Sequence, residues 1–124
     1  MVFIIGGAYQ GKLTYAKAAF DLAPEDIFTC NGTQIDFGRR CVRSIEEFTL
    51  ACVQAGADAV AYFASHREEW EDSILICRDI FCGVVPLGAE NRAWRQETGR
   101  LCRYLSAEAG RVVRIFCGLE QRLK

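Results

Sequence analysis

The sequence is poor in proline, methionine and histidine, and it has no apolar run long enough to cross a bilayer. It contains two prolines, one methionine and a single histidine, His66. No basic segment followed by a long apolar stretch precedes the first apolar residues, so a secretory signal is not expected. Half of the 124 residues are apolar and a quarter are charged, which is typical of a folded globular domain. We therefore expect one cytoplasmic domain spanning residues 1–124, without a membrane partner.

The seven cysteines are scattered, odd in number and without C-x-x-C spacing. Several lie inside apolar runs, as Cys77 and Cys117 do. This pattern favours buried free thiols in a reducing compartment. A zinc site is the alternative, but the thiols are not clustered in sequence and the chain has only one histidine as a further ligand.

The net charge of −1 argues against a nucleic-acid partner. The charges are nevertheless unevenly distributed, with 7 basic and 13 acidic side chains in residues 1–90 and 8 basic and 3 acidic ones in residues 91–124. A positive patch in the last third can face an anionic ligand such as a phosphate. Alternatively, it pairs with the acidic part of the same fold or of a neighbouring subunit.

The apolar patterning alternates between strand and helix. Residues 2–5, 27–29, 73–77 and 112–117 are predicted strands, and residues 31–42 a loop. Helices are predicted over residues 12–22, 45–70 with a break at Gly56, and 89–109. Ser44 and Glu47 have the spacing of a capping box, and Gly110 is expected to end the last helix with a positive φ. Alternating strands and helices predict an α/β layered fold with a mainly parallel sheet.

A glycine-rich loop with the spacing G-x-x-x-x-G-K follows the first predicted strand. Its glycines allow successive backbone N–H groups to surround a phosphate, while the next helix directs its N-terminus at the same anion. Lys12 would reach the β- and γ-phosphates of ATP or GTP as a catalytic cation. The motif predicts a P-loop NTPase-like three-layer fold. The predicted nucleotide-binding residues are Gly6, Gly7, Ala8, Gln10, Gly11, Lys12, Leu13 and Thr14.

The loop departs from the usual motif at one position. The residue after Lys12 is Leu13, where a Ser or Thr hydroxyl normally binds Mg²⁺. Thr14 comes one residue later, about 100° around the helix. Because phosphoryl transfer relies heavily on Mg²⁺, weak or absent kinase activity is expected. Alternatively, Gly6 and Gly7 only make a tight turn and Lys12 is a solvated surface residue.

Asp79 follows the predicted strand at 73–77 almost directly. An acidic residue at the carboxyl end of a strand next to a phosphate loop can hold Mg²⁺, often through water. Asp79 is therefore our candidate metal ligand and second catalytic residue. The alternative is that its carboxylate caps a helix or stabilises a surface turn.

The long C-terminal helix separates apolar from basic residues when it is projected at about 100° per residue. One face carries Trp94, Leu101 and Leu105, which we assign to the core. The opposite face carries Arg92 and Arg103, with Gly99 between them and Arg95 towards the edge. These guanidinium groups form a candidate phosphate- or partner-binding surface, or else an ordinary solvated face.

Both ends of the chain resemble the adenosylcobinamide kinase / adenosylcobinamide-phosphate guanylyltransferase family of cobalamin biosynthesis. Residues 6–12, GGAYQGK, are similar to its G-G-A-R-S-G-K-S loop. Residues 79–86, DIFCGVVP, are similar to its N-E-V-G-x-G-I-V-P stretch, and residues 92–100 to its R-x-F-R-D-x-x-G-R stretch. The final strand ending in Gly118 also fits.

The resemblance implies phosphorylation of adenosylcobinamide with ATP or GTP, then transfer of GMP through a guanylylated histidine. It also implies a homo-oligomer, typically a trimer, and it matches Arg92, Arg95 and Arg100 to family arginines as substrate or phosphate ligands. Residues 30–43 contain no histidine where the family has its acceptor, and His66 lies well downstream. A non-catalytic nucleotide- or corrinoid-binding homologue with a degenerate loop therefore stays open as a second hypothesis.

Overall fold

Strands and helices alternate along the chain in a computed structural model that describes residues 1–81 and 88–124. The strands are β1 (Val2–Gly6), β2 (Ile27–Thr29), β3 (Cys41–Arg43), β4 (Ile74–Arg78), β5 (Arg111–Phe116) and β6 (Leu119–Arg122). The helices are α1 (Lys12–Phe20), α2 (Ile45–Ala55), α3 (Ala59–Ser65), α4 (Arg67–Trp70) and α5 (Ala89–Glu108), with a 3-10 turn at Pro24–Asp26. The predicted loop at residues 82–86 lies outside the described residues.

The strands form one mixed, mostly parallel sheet in the order β2-β3-β4-β1-β5-β6. All neighbours run parallel except β5 and β6, which pair antiparallel. The prediction of an α/β fold with a mainly parallel sheet is thus confirmed. Strand β1 lies in the interior of the sheet between β4 and β5, so its carboxyl end lies between the carboxyl ends of these two parallel strands.

Helices cover both faces of the sheet. Phe3 of β1 packs on one face in a core with Phe48 of α2, Leu101 of α5 and the aromatic residues before β4. Ile4, its neighbour in sequence, packs on the other face against Ala16 of α1. Burial on both faces explains why β1 and β4 are continuous apolar runs in the sequence. No helix in the described part of the chain is both long and apolar enough to cross a membrane.

Two strands are absent from the sequence prediction. Strand β3 lies at the end of the stretch 31–42 that is predicted to be a loop, and it has only three residues. Strand β6 replaces a predicted tail, and its four residues are all exposed and three of them are polar or charged. Neither segment is long enough or apolar enough to reveal a strand period in the sequence.

Two predicted helix ends were wrong in detail. Helix α2 begins at Ile45 as expected, but Ser44 adopts a left-handed conformation (φ 60°) and makes no side-chain cap, so the capping box does not form. Helix α5 ends through Ala109, which is extended (φ −70°, ψ 141°). The positive-φ glycines of the described chain are Gly11, Gly56 and Gly118, and Gly110 is not among them.

Most of the cysteines follow the sequence prediction. Cys117 does not, because it lies in the exposed turn after β5, and Cys82 lies outside the described residues. The free and buried thiols are those of Cys30, Cys41, Cys52, Cys77 and Cys102.

Candidate functional site

The glycine loop leaves the carboxyl end of β1 and enters α1 directly. Gly6 packs so closely that a Cβ there would lie 2.6 Å from the carbonyl oxygen of Ile115. Gly11 precedes α1 with φ 89°, a conformation that glycine adopts without steric cost. The two glycines therefore fix the path of the loop at its start and at its end.

Lys12 is held inside this loop. Its Nζ donates a hydrogen bond to the carbonyl oxygen of Gly7 at 2.7 Å. Burial lowers the pKa of the Lys12 ammonium, while the carboxylate of Glu46 acts in the opposite direction. The predicted catalytic cation thus lies folded back over the loop, where an incoming phosphate oxygen could replace the Gly7 carbonyl as its partner.

The glycine loop forms one wall of a cavity of about 430 Å³. The far wall carries Arg43 and Arg78, the last residues of β3 and β4. Because the carboxyl ends of parallel strands meet at one edge of a sheet, these guanidinium groups converge on the same space as Lys12. The described lining residues are Ala8, Tyr9, Gly11, Lys12, Leu13, Thr14, Arg43, Ser44, Glu46, Ile76 and Arg78.

Glu46 contributes a buried carboxylate to this cavity. Its side chain accepts a hydrogen bond from the backbone N–H of Arg78 at 2.8 Å, and the residue is only 6 % exposed. The indole N–H of Trp94 donates to the backbone carbonyl of Glu46 at 2.8 Å, which ties the first turn of α2 to α5. Glu46 is therefore a rigidly placed acid next to the lysine and two arginines.

No motif in the sequence points to Arg43, Arg78 or Glu46. The only available signal is position: each arginine ends a strand, and Glu46 lies in the first turn of α2. The capping-box spacing draws attention to Glu47 instead. In the structure Glu46 turns into the protein and Glu47 stays exposed.

Leu13 and Thr14 both line the cavity. Leu13 is also partly buried against the core on the α1 side of the sheet, whereas Thr14 is exposed. An apolar side chain thus occupies the position where the usual motif supplies a hydroxyl ligand. Thr14 brings a hydroxyl to the same cavity one residue later.

Asp79 lies beside the start of the loop but is engaged in a turn. Its backbone N–H donates to the carbonyl of Gly6 at 2.7 Å, and its Oδ1 accepts from the backbone N–H of Phe81 at 2.9 Å. Asp79 is not among the described residues that line the cavity. Within residues 1–81 and 88–124 there is no group of three or more His, Cys, Asp or Glu side chains arranged to hold a metal ion.

The loop is anchored from the side by the turn between β5 and β6. Gln10 accepts hydrogen bonds from both residues of that turn, through its side-chain Oε1 from Cys117 N at 2.5 Å and through its backbone carbonyl from Gly118 N at 2.9 Å. The predicted ligand Gln10 thus has a structural role, because it holds the loop against the end of β5. Tyr9, next to it, is fully exposed.

The basic face of α5 borders a second cavity, of about 580 Å³. Arg92, Arg95 and Arg103 all line it beside Gly99, as the helical projection predicted. Arg95 also donates from Nη2 to the carbonyl of Phe81 at 2.6 Å. Arg100 lies elsewhere, in ion pairs with Glu97 at 3.0 Å and Asp58 at 3.9 Å. The predicted substrate arginines therefore do not form a single group.

His66 lies away from the described walls of both cavities. Its imidazole stacks on Tyr62, with ring centroids 4.4 Å apart, and its Nδ1 lies 2.7 Å from the Tyr62 carbonyl oxygen. Phe37 packs on it as well. The histidine is thus part of the aromatic packing around α3.

Comparison with known proteins adds no family assignment. No protein-family model matches this chain. No curated protein matches it at a significant level of similarity. The resemblance to the adenosylcobinamide kinase family therefore rests on the loop, strand-end and arginine motifs of the sequence itself.

Proposed function

We propose that this chain is a P-loop protein that binds ATP or GTP at the loop of residues 6–14. The observation that carries the proposal is the convergence of Lys12, Arg43 and Arg78 on one cavity beside a glycine loop. Three cationic side chains around backbone N–H groups match the charge of a polyphosphate. The cavity also lies at the carboxyl end of an interior parallel strand, the usual ligand position in open α/β sheets.

The reaction we propose is phosphoryl transfer to the hydroxyl of adenosylcobinamide, as in the family that the sequence resembles. The hydroxyl oxygen forms a bond to the γ-phosphorus, and the bond from that phosphorus to the bridging oxygen breaks, so that ADP or GDP leaves. Lys12, Arg43 and Arg78 would offset the charge on the phosphate oxygens. Glu46, the only carboxylate among the described lining residues, would accept the proton of the attacking hydroxyl.

The described residues fit Mg²⁺ poorly. Magnesium prefers octahedral oxygen coordination, and proteins usually supply one or two carboxylates besides water and phosphate oxygens. The hydroxyl position of the motif is Leu13, and Asp79 bonds within its own turn. The oxygen-bearing side chains among the described lining residues include one carboxylate, that of Glu46, and the hydroxyls of Tyr9, Thr14 and Ser44. We therefore derive no catalytic step through the metal.

A phosphoryl-transfer assay tests the proposed reaction. Purified protein is incubated with γ-labelled ATP or GTP and adenosylcobinamide, and labelled product is followed with time. We expect transfer by the wild type, loss of transfer in Lys12→Ala, and retention in Lys17→Ala, because Lys17 is exposed on α1 outside the cavity. Absence of transfer by the wild type, or equal transfer by Lys12→Ala, would refute it.

The second candidate function is nucleotide or corrinoid binding without turnover. Leu13 in the loop favours it, because the missing hydroxyl removes a metal ligand without removing the phosphate cradle. Binding that survives EDTA, with no labelled product, would support this function. We leave guanylyl transfer out of the proposal, since His66 is packed between aromatic rings away from the described walls of the cavity.

A further inference from the structure

Strand β6 forms an outer edge of the sheet. It pairs with β5 on one side only, and within the described part of the chain no strand pairs with its other side. All of its residues, Leu119–Arg122, are exposed. An outer strand with free backbone groups is a template for pairing with another chain.

The hydrogen-bonding direction of β6 identifies which residues face outward. Leu123 donates its backbone N–H to the carbonyl of Val112 in β5 at 2.8 Å. Backbone groups point to alternate sides along an antiparallel strand, so Leu119, Gln121 and Leu123 use theirs towards β5. Glu120 and Arg122 therefore direct their backbone N–H and C=O groups to the open side.

One face of this edge carries uncovered apolar side chains. Phe116 lies opposite Leu119 in the β5–β6 register, and the two are 57 % and 71 % exposed. Leu123 is 56 % exposed. The guanidinium of Arg114 lies 5.7 Å from the centre of the Phe116 ring. We call Phe116, Leu119 and Leu123 the edge patch.

We propose that β6 pairs antiparallel with β6 of a second copy of this chain, about a two-fold axis at Gln121. A two-fold interface must be self-complementary, because each side contacts its own copy. This register places Leu119 opposite the partner's Leu123, and Glu120 opposite the partner's Arg122. Apolar thus meets apolar on the face of the edge patch, and opposite charges meet on the other face.

The charge pattern selects a second copy over an unrelated partner. The order Leu-Glu-Gln-Arg-Leu over residues 119–123 is its own complement when reversed, with the two charges exchanged. Glu120 is anchored by an ion pair with Arg111 of β5, so its carboxylate is already positioned on the charged face. The proposal is independent of nucleotide binding, since none of residues 119–123 is among the described linings of either cavity.

A charge-exchange experiment tests the pairing. The mass of the wild type is measured by light scattering over a micromolar-to-millimolar concentration series. With rising concentration it is expected to approach twice the chain mass of 13.9 kDa. Arg122→Glu places like charges opposite each other at two symmetry-related pairs, as does Glu120→Lys. We expect each to weaken association about tenfold or more, because like charges directly opposite destabilise a strand pair.

An equimolar mixture of the two variants separates pairing from any folding defect. In the mixed pair the two introduced charges face each other, and the remaining pair is Arg122 opposite the partner's Glu120. Native mass spectrometry should therefore find the mixed dimer and little of either single-variant dimer. The control is Lys17→Glu, which reverses a charge at an exposed position of α1 and should dimerise like the wild type.

Three outcomes would overturn the proposal. The first is a wild type that stays monomeric at every concentration, in which case the edge has another occupant or none. The second is a wild-type trimer whose mass neither charge variant changes. The third is dimerisation of each charge variant alone to the same extent as in the mixture.

Discussion

Replacing Glu46 by glutamine removes one negative charge from the cavity and leaves its shape nearly unchanged. The amide oxygen can still accept from the backbone N–H of Arg78, the bond that the carboxylate makes at 2.8 Å. We therefore expect the unfolding free energy of Glu46→Gln to stay within about 1 kcal/mol of the wild type. Any change in nucleotide binding or phosphoryl transfer by this variant is then due to the lost negative charge of Glu46.

The two functional effects should have opposite signs. A carboxylate in the wall of the cavity, at an effective dielectric constant of about 20 to 40, repels a bound phosphate by about 1–2 kcal/mol. Its removal should tighten ATP or GTP binding roughly fivefold to thirtyfold. Loss of a proton acceptor should lower phosphoryl transfer by about 10²–10⁴. Tighter binding with slower transfer is not the result expected of a purely structural residue.

Calorimetric titration and the labelled-phosphate assay measure these effects, and urea unfolding measures stability. Glu46→Ala is the matched contrast, because it leaves the partly buried Arg78 N–H without its acceptor and should cost about 1–3 kcal/mol of stability. Weaker nucleotide binding in Glu46→Gln would refute the electrostatic reasoning. Unchanged transfer would remove Glu46 from the reaction.

Two further predictions concern stability. Gly6→Ala should lower the unfolding free energy by about 1–3 kcal/mol in urea, because its Cβ would lie 2.6 Å from the Ile115 carbonyl oxygen; an unchanged midpoint would contradict the packing. Burial raises the thiol pKa from 9.0 to about 12 for Cys30 and to about 11 for Cys41 and Cys52, so the folded state keeps protons that the unfolded chain releases. The contribution of these thiols to the unfolding free energy should be fully present below pH 9 and fall as pH rises through 11 to 12. Cys41→Ala should make this fall smaller. An unfolding free energy that does not change with pH in this range would refute the raised thiol pKa values.

The elements next to the glycine loop could be predicted because their signals are local. Strand β1 is a short apolar run ended by two glycines, and α1 begins at Lys12 directly after a third. Helix α5 is 20 residues long, and its buried residues Thr98, Leu101, Cys102 and Leu105 recur at helical spacing. In each case the spacing of apolar residues, or a glycine at the boundary, predicts the element without reference to the rest of the chain.

The short strands β3 and β6 could not be predicted from such signals. Strand β3 is a three-residue segment whose pairing partners, β2 and β4, are distant in sequence. Strand β6 is exposed along its whole length, so burial imposes no apolar alternation on it. The neighbours of β3 are known only once the sheet order is known, whereas β6 pairs with the strand directly before it and lacks only an apolar signal.

The same limit applies to the candidate site. Lys12 could be identified from spacing within one loop. Arg43 and Arg78 come from strands far apart in the chain, and only the adjacency of β3 and β4 brings them to one edge. Glu46 could not be predicted, because it lies next to Glu47 in an apparent helix cap. The sequence does not show which of these two carboxylates faces the protein interior.

Nucleotide titration with and without the Lys12 side chain tests whether the glycine loop is a phosphate site. ATP and GTP are titrated calorimetrically into the wild type, Lys12→Ala and the control Lys17→Ala, each with Mg²⁺ and with EDTA. We expect binding by the wild type and by Lys17→Ala, and a loss of at least about tenfold in affinity for Lys12→Ala. Equal affinities for all three proteins, or no heat of binding from the wild type, would contradict a phosphate site at this loop.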